Sequence, residues 1–419
     1  MSPSAASPVP RPGAAPSAAR HAAPTPGASG RLAGIDGLRA VAMTMVIAQH
    51  CGLLPFGWTG VWLFFAISGH VITRGLLVEE TQPQHQPSTA SRYGAFLRRR
   101  LLRIVPAYAL YVGLCGLLFG ASVGRAGLPD LLGLLSFTYN WRMIFQPADA
   151  TQHWPAIGHL WTLSVEQQFY IVFPLLFFGL AERWRWRVAA ALVLLAPATR
   201  AVWLGATSAA IAEPDPGKLA FLVYAATVCQ ADAFLLGALL ARFQTALLRN
   251  RGRIVRVCAL ALACVLLFAL VYGVLNHLRG DHGLGLVKNI YSGTLYGQGR
   301  ELLVYSVINL LAAAVLLATL AGLGGTAWLS SPGLAWVGRV SYGAYLYHAL
   351  VLWALCAWLG GELKSLPLLP RLGGFVAVLA LTLAAAGLSF RWIEQPITRR
   401  LRPWAAGSSG TVQLRTTGA

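Results

Sequence analysis

Apolar stretches of about 20 residues recur along the chain between short polar breaks, and a helix rising 1.5 Å per residue needs about that many to cross some 30 Å of hydrocarbon. Such stretches lie near 38–56, 60–78, 101–120, 162–182, 188–206, 219–241, 254–276, 302–323, 334–359 and 372–394. The pattern predicts an all-α, polytopic integral membrane protein with about ten transmembrane helices, occupying 31–403 as one transmembrane domain. The segment DLLGLLSFTYNW (130–141) is too short to span and is expected to be interfacial or re-entrant. Residues 1–30 are rich in Ala, Pro and Ser and lack the apolar core of a secretory signal, so a disordered tail is expected there, and 404–419 reads the same way.

Composition agrees. With 56% hydrophobic residues, 11% charged residues and a mean hydropathy of +0.60, the chain is too apolar to keep a wetted surface over a soluble core. The net charge of +19 comes from 33 Lys+Arg against 14 Asp+Glu. The basic residues gather in RYGAFLRRRLLR (92–103), RWRWR (183–187), RFQTALLRNRGRIVR (242–256), Arg339 and RRLR (399–402). All of these fall on one side, taken as cytoplasmic together with both termini, if 121–161 and the loop around 277–300 lie on the other. No basic face with interleaved aromatics sits on a soluble module, which argues against nucleic acid as a partner. The six cysteines (Cys51, Cys115, Cys229, Cys258, Cys264, Cys356) form no CxxC pair and no metal-ligand spacing with histidine, so they read as small core residues and no metal is expected.

Ionisable side chains at membrane depth are costly and mark functional candidates. They are Asp36, Arg39, His50, His70, Glu166, Asp232 and His348. Arg39 and His50 are eleven residues apart, which returns a helix to nearly the same face after about 16 Å of rise. Asp36 sits one turn before Arg39 and is expected to pair with it. His50 is suited to take a proton from an alcohol. Glu166, in GHLWTLSVEQQFYIVFP (158–174), is expected at similar depth to His50, where a carboxylate would orient the imidazole. Arg99, Arg100 and Arg103 cluster at the basic mouth in a form suited to phosphate, although basic residues flanking a membrane helix are also ordinary topology determinants. Tyr342, Tyr345 and His348 share one helical face. Ser68 in FFAISGH lacks the nucleophile-elbow context; with Asp36, Asp232, Tyr342 and His348 it is grouped as a substrate-side polar residue.

The pieces IDGLRAVAMTMVIAQH, GVWLFFAISGHVIT, RRRLLRIVPAY, GHLWTLSVEQQFYIVFPLL, ADAFLLGALLA, VGRVSYGAYLYHALV and FRWIEQPI occur in an order that resembles the acyltransferase-3 family of bacterial membrane O-acyltransferases, over roughly 34–402. The resemblance implies about ten helices in the bacterial inner membrane, an acyl-CoA donor (acetyl-CoA) on the cytoplasmic side, and O-acylation of a sugar-containing acceptor. It also implies Arg39 and His50 as the functional pair, Arg100 and Arg103 as donor-side cations, and Glu166 as a further polar group of the site. Two departures stand out. The family often has Arg two residues before the aspartate of the sixth helix, where this chain has Gln230, and Ser where it has Thr162. About 25 residues follow Glu394, so the acceptor is expected to be met by the membrane domain itself. The alternative is a transporter or flippase in which the same buried groups relay protons or bind substrate. Whether a covalent acyl-enzyme forms is left open.

Overall fold

The computed structural model describes residues 26–406, apart from 82–87, 147–153, 212–214 and most of 284–296. All regular structure among the described residues is helical: α1 Pro26–His50, α2 Thr59–Glu80, α3 Thr89–Val123, α4 Leu128–Leu135, α5 Tyr139–Phe145, α6 Trp161–Gly179, α7 Glu182–Leu194, α8 Ala196–Thr207, α9 Pro216–Ala225, α10 Thr227–Leu248, α11 Arg251–Leu278, α12 Arg300–Ala321, α13 Pro332–Leu359, α14 Leu368–Ser389 and α15 Gln395–Ala406. The bundle has a basic end, where α2 and α6 finish and α3 and α13 begin, and an opposite end, where α1 finishes at His50.

Seven helical segments are long and apolar enough to cross a membrane, and α7 with α8, bent by 63°, makes an eighth if the pair is one span. The expected count of ten is therefore not reached on length and apolarity. The shortfall lies in α1 and α6, and the polar residues that make these helices candidates are the cause. Asp36, Arg39, Gln49 and His50 dilute the hydropathy of α1, as Glu166, Gln167 and Gln168 dilute that of α6. The expected tails lie mostly outside the described residues, though the described backbone is helical from Pro26 and up to Ala406. Segment 130–141 falls in α4 and α5, of 8 and 7 residues, neither able to cross. The expected span 188–206 is broken at Leu195, just before Pro197, whose ring cannot continue the hydrogen-bond ladder of α7.

The bundle turns an apolar surface outward as well as inward. Leu260, Leu262, Leu266, Leu267 and Leu270 of α11 are all exposed, as expected where the solvent is lipid. The interior holds Phe65 stacked on Phe234 at 4.5 Å, and Phe169 on Phe234 at 4.2 Å, which ties α2, α6 and α10 together. Without a hydrophobic drive between helices in lipid, small residues that admit close backbone approach govern packing. A Cβ at Gly69 would lie 2.0 Å from the Phe234 carbonyl oxygen, and one at Gly237 2.0 Å from that of Ala66, so α2 and α10 meet backbone to backbone. Likewise a Cβ at Gly338 would lie 1.9 Å from the carbonyl oxygen of Asp36, which fixes α13 against α1. Gly69→Val should cost about 3 kcal/mol or more, because backbone on the far side cannot yield. Gly75→Ala on the same helix, with nothing within 4 Å, should be neutral or stabilising by about 0.5–1 kcal/mol. Thermal unfolding in detergent checks both, and equal midpoints would refute the close-packing account.

Candidate active site

Two cavities share a wall at the basic end. An open basin of about 710 Å³ is lined by Asp36, Arg99, Arg100, Arg103, Arg339, Tyr342, Glu394 and Arg399 among others. Deeper in the bundle, a smaller cavity of about 70 Å³ is bounded on one part of its wall by Arg39, Ser68, Arg100, Arg103, Glu166 and Tyr170, with Thr162, Ser341, Tyr342 and Tyr345, and on the rest by apolar side chains such as Val61, Phe64, Ile67 and Leu163. Arg100, Arg103 and Tyr342 line both. Tyr342 is held between them by donating to the Ile104 carbonyl at 3.0 Å.

Charge in the inner cavity is unbalanced, with three guanidiniums facing one carboxylate. Arg39 Nε donates to Ser341 Oγ at 3.2 Å, and its guanidinium stands 5.8 Å from the centre of the Phe64 ring. Arg100 lies over Phe96 and Tyr170, at 5.4 and 5.7 Å. Neither Arg39, Arg100 nor Arg103 has a carboxylate within ion-pair distance among the described residues. Arg99, by contrast, is paired with Glu79 at the surface. Unpaired guanidiniums lining a polar recess offer a site to a phosphate or to a developing oxyanion.

Asp36 does not pair with Arg39 as expected. The close approach of α13 at Gly338 brings Ser341 to Arg39 instead, while Asp36, one turn nearer the N-terminus of α1, opens into the basin. Glu166 also departs from expectation. Its Oε1 accepts from Ser68 Oγ at 2.5 Å and from the Tyr170 hydroxyl, and it faces the cavity of Arg39 rather than His50. The reason is depth. The residue of this segment that reaches the level of His50 is His159, in the turn Gly158–Leu160 that precedes α6, and Glu166 lies seven residues further on, roughly 10 Å down the helix.

His50 occupies the last turn of α1 and is exposed. Its Nδ1 donates to the Val46 carbonyl at 2.8 Å, so in the neutral ring Nε2 carries the free lone pair. The His50 ring lies 5.0 Å from that of His348, which in turn lies 4.9 Å from that of His159. Arg39 and His50 thus both meet α13, at Ser341 and at His348, seven residues or about two turns apart. That places the guanidinium and the imidazole on the same side of α1. Between the inner cavity and the histidines stands Tyr345, whose hydroxyl bonds Thr162 Oγ1 at 2.7 Å and the His159 carbonyl at 3.2 Å.

Asp232 is not brought to this site. Both its oxygens accept from Nη2 of Arg200 at 2.7 Å, with 0% and 1% of the two side chains exposed. Arg200 uses its remaining donors on the carbonyls of Cys229 and Leu302 and on Ser306 Oγ. Gln230 instead accepts from Trp62 Nε1 at 2.8 Å and donates to the carbonyls of Val223 and Tyr224. Sequence reasoning passed over Arg200 and His159, although Arg200 stood inside an apolar stretch and His159 inside GHLWTL. No cluster of His, Cys, Asp and Glu among the described residues is arranged to hold a metal ion.

A bundle of apolar helices with a basic basin, an inner cavity that holds buried charges and a histidine at its far side defines a membrane protein with a chemically equipped interior. The family model described as "Acyltransferase domain" matches residues 32–391, and the chain belongs to that family, the acyltransferase-3 family; it is a multi-pass membrane protein. It is 26% identical over 385 residues to the peptidoglycan O-acetyltransferase OatA of Listeria monocytogenes, covering 87% of this chain and 55% of that protein. It is 25% identical over 389 residues to a putative O-acetyltransferase of Staphylococcus aureus strain COL (87% and 57%), and 26% identical over 382 residues to the O-acetyltransferase OatA of strain NCTC 8325 (88% and 57%). The chain therefore spans little more than half the length of these relatives. No solved structure matches it.

Proposed function

We propose that this protein transfers an acyl group, expected to be acetyl, from acyl-CoA to a hydroxyl of a carbohydrate or glycosylated acceptor, with its basic end at the cytoplasmic face of a bacterial plasma membrane. The observation that carries the reading is the shared boundary of the basin and the inner cavity, which Arg100, Arg103 and Tyr342 line on both sides. In this reading the donor's phosphates sit among Arg100, Arg103, Arg339 and Arg399, and the thioester arm enters past Arg39. Five arginines against two carboxylates in the basin lining favour a polyanion there. The positive-inside rule supports the orientation. The sugar acceptor meets the thioester at the His50 end, which suits acceptors outside the cell, of which the peptidoglycan named for one relative is an example.

For the thioester to reach His50, the Thr162–Tyr345 contact has to part. His50 Nε2 then removes the proton from the acceptor hydroxyl as its oxygen bonds the thioester carbon. Arg39 and the Ser68–Glu166–Tyr170 group hold the arm in the cavity below. Purified protein in detergent should release free coenzyme A thiol from acetyl-CoA only when a sugar acceptor is present, and yield the acetyl ester by mass. Arg100→Ala with Arg103→Ala should raise KM for acetyl-CoA by about tenfold or more, since losing one charged hydrogen-bond partner costs about 1.5–3 kcal/mol, and leave KM for the acceptor unchanged. Absence of acceptor-dependent thiol release from folded protein, with several acyl-CoA donors and glycans tried, would overturn the reading.

A further inference from the structure

Acyl-transfer sites hold a catalytic imidazole through a partner on its second nitrogen and stabilise the cation it becomes. His50 has no carboxylate for this purpose. Its Nδ1 is engaged by the Val46 carbonyl, and among the described residues no carboxylate lies within ion-pair distance of it. What lies beside it is His348, 0% exposed, with ring centres 5.0 Å apart and planes at 59°.

The tautomer of His348 is fixed by its surroundings. Nδ1 donates to the Tyr345 carbonyl at 2.6 Å, so Nε2 carries the lone pair, and this atom is buried with no hydrogen-bond partner among the described residues. A buried acceptor left unmatched carries a desolvation cost. On the far side His159, 7% exposed, packs edge-on at 4.9 Å, and Tyr111 packs on His159 at 5.7 Å. The stack cannot move away from His50 without opening the bundle.

We infer that His348, backed by His159, is the positioning residue for His50: its free Nε2 accepts the N–H that His50 gains during the reaction. The inference rests on the acyl-transfer reading above. In the step, the acceptor oxygen bonds the thioester carbon and gives its proton to His50 Nε2. The C–S bond breaks, the sulfur leaves as the thiolate of coenzyme A, and that thiolate recovers the proton from His50. With ring centres 5.0 Å apart and planes at 59°, this hydrogen bond requires the His50 ring to turn about its Cβ–Cγ bond until the new N–H meets His348 Nε2 at ordinary hydrogen-bond distance. The Val46 carbonyl holds Nδ1, the nitrogen a carboxylate holds elsewhere, and His348 adds a neutral acceptor for the N–H on Nε2, with no second charge to desolvate.

His348→Phe keeps the ring packing and removes the lone pair. We expect kcat to fall about 10- to 100-fold, the usual effect of losing a supporting partner, with KM for acetyl-CoA and for the sugar acceptor unchanged. His348→Gln, which returns an acceptor oxygen to the same place, should recover most of that loss. A folded His348→Phe protein with wild-type kcat overturns the inference, as does a loss expressed in KM alone. Should the phenylalanine variant fail to fold, the glutamine variant decides: kcat within about threefold of wild type is expected, and a folded glutamine variant in the 10- to 100-fold loss range overturns it. Wild-type protein assayed alongside separates the two levels. If it does not consume thioester, the functional reading has failed; if it does and His348→Phe matches it, only this inference has.

Discussion

If the proposed reaction holds, His50→Ala should cut acceptor acylation by about 100- to 10,000-fold, the range that a general base contributes, and leave the bundle folded. Both halves follow from where the residue sits. His50 is exposed on the final turn of α1, and its one hydrogen bond goes to Val46 of the same helix, so truncation opens no interior cavity and strands no partner from another helix. The imidazole is nonetheless poised, because the Val46 carbonyl fixes the proton on Nδ1 and presents Nε2 as a base. The measurement is coenzyme A release by purified variant and wild type at saturating acetyl-CoA and acceptor, with thermal unfolding recorded on both. A folded variant turning over at the wild-type rate would remove His50 from the mechanism. A fall confined to the unfolding midpoint would make it a helix-end residue only.

Much of the fold was legible because lipid imposes a length. Helices α2, α11, α12, α13 and α14 coincide closely with apolar stretches read from the chain, whereas 219–241 is divided at Ala226 between α9 and α10. The stretches that departed from the simple pattern did so for local reasons. Pro197 breaks 188–206 into a bent pair, and the site residues of α1 and α6 lower the apolarity by which a span is recognised. The site was legible along a helix and poorly legible between helices. Eleven-residue spacing correctly put Arg39 and His50 on one side of α1, since helical phase is a property of one segment. Depth across helices depends on where each one enters, and the turn Gly158–Leu160 ahead of α6 set Glu166 too deep to meet His50. Ser341 came to Arg39 for a reason that periodicity does not contain, namely the contact of Gly338 with the Asp36 backbone.

The same logic explains why Asp232 looked like a substrate ligand and is held elsewhere. An aspartate in an apolar helix needs a cation, and nothing within one turn of it on α10 supplies one, Gln230 being neutral. The cation comes from α8, where the bend after Leu195 carries Arg200 inward, over the Tyr305 ring at 5.3 Å and onto both oxygens of Asp232. The pair is therefore a clamp between α8 and α10, with Ser306 of α12 bonded to both partners. Removing one partner leaves the other charged and buried, so Asp232→Ala should destabilise the bundle by about 3–5 kcal/mol. Arg200→Met should do the same, because Asp232 would keep only the Ser306 hydroxyl. The double variant Arg200→Met with Asp232→Leu should recover a large part of the loss, since neither charge then needs a partner. Thermal unfolding in detergent across this cycle gives the coupling directly, with the Asp232→Asn variant assayed for acyl transfer. A single loss near zero would dismiss the clamp, while an Asp232→Asn protein that is fully stable but inactive would return Asp232 to the substrate site.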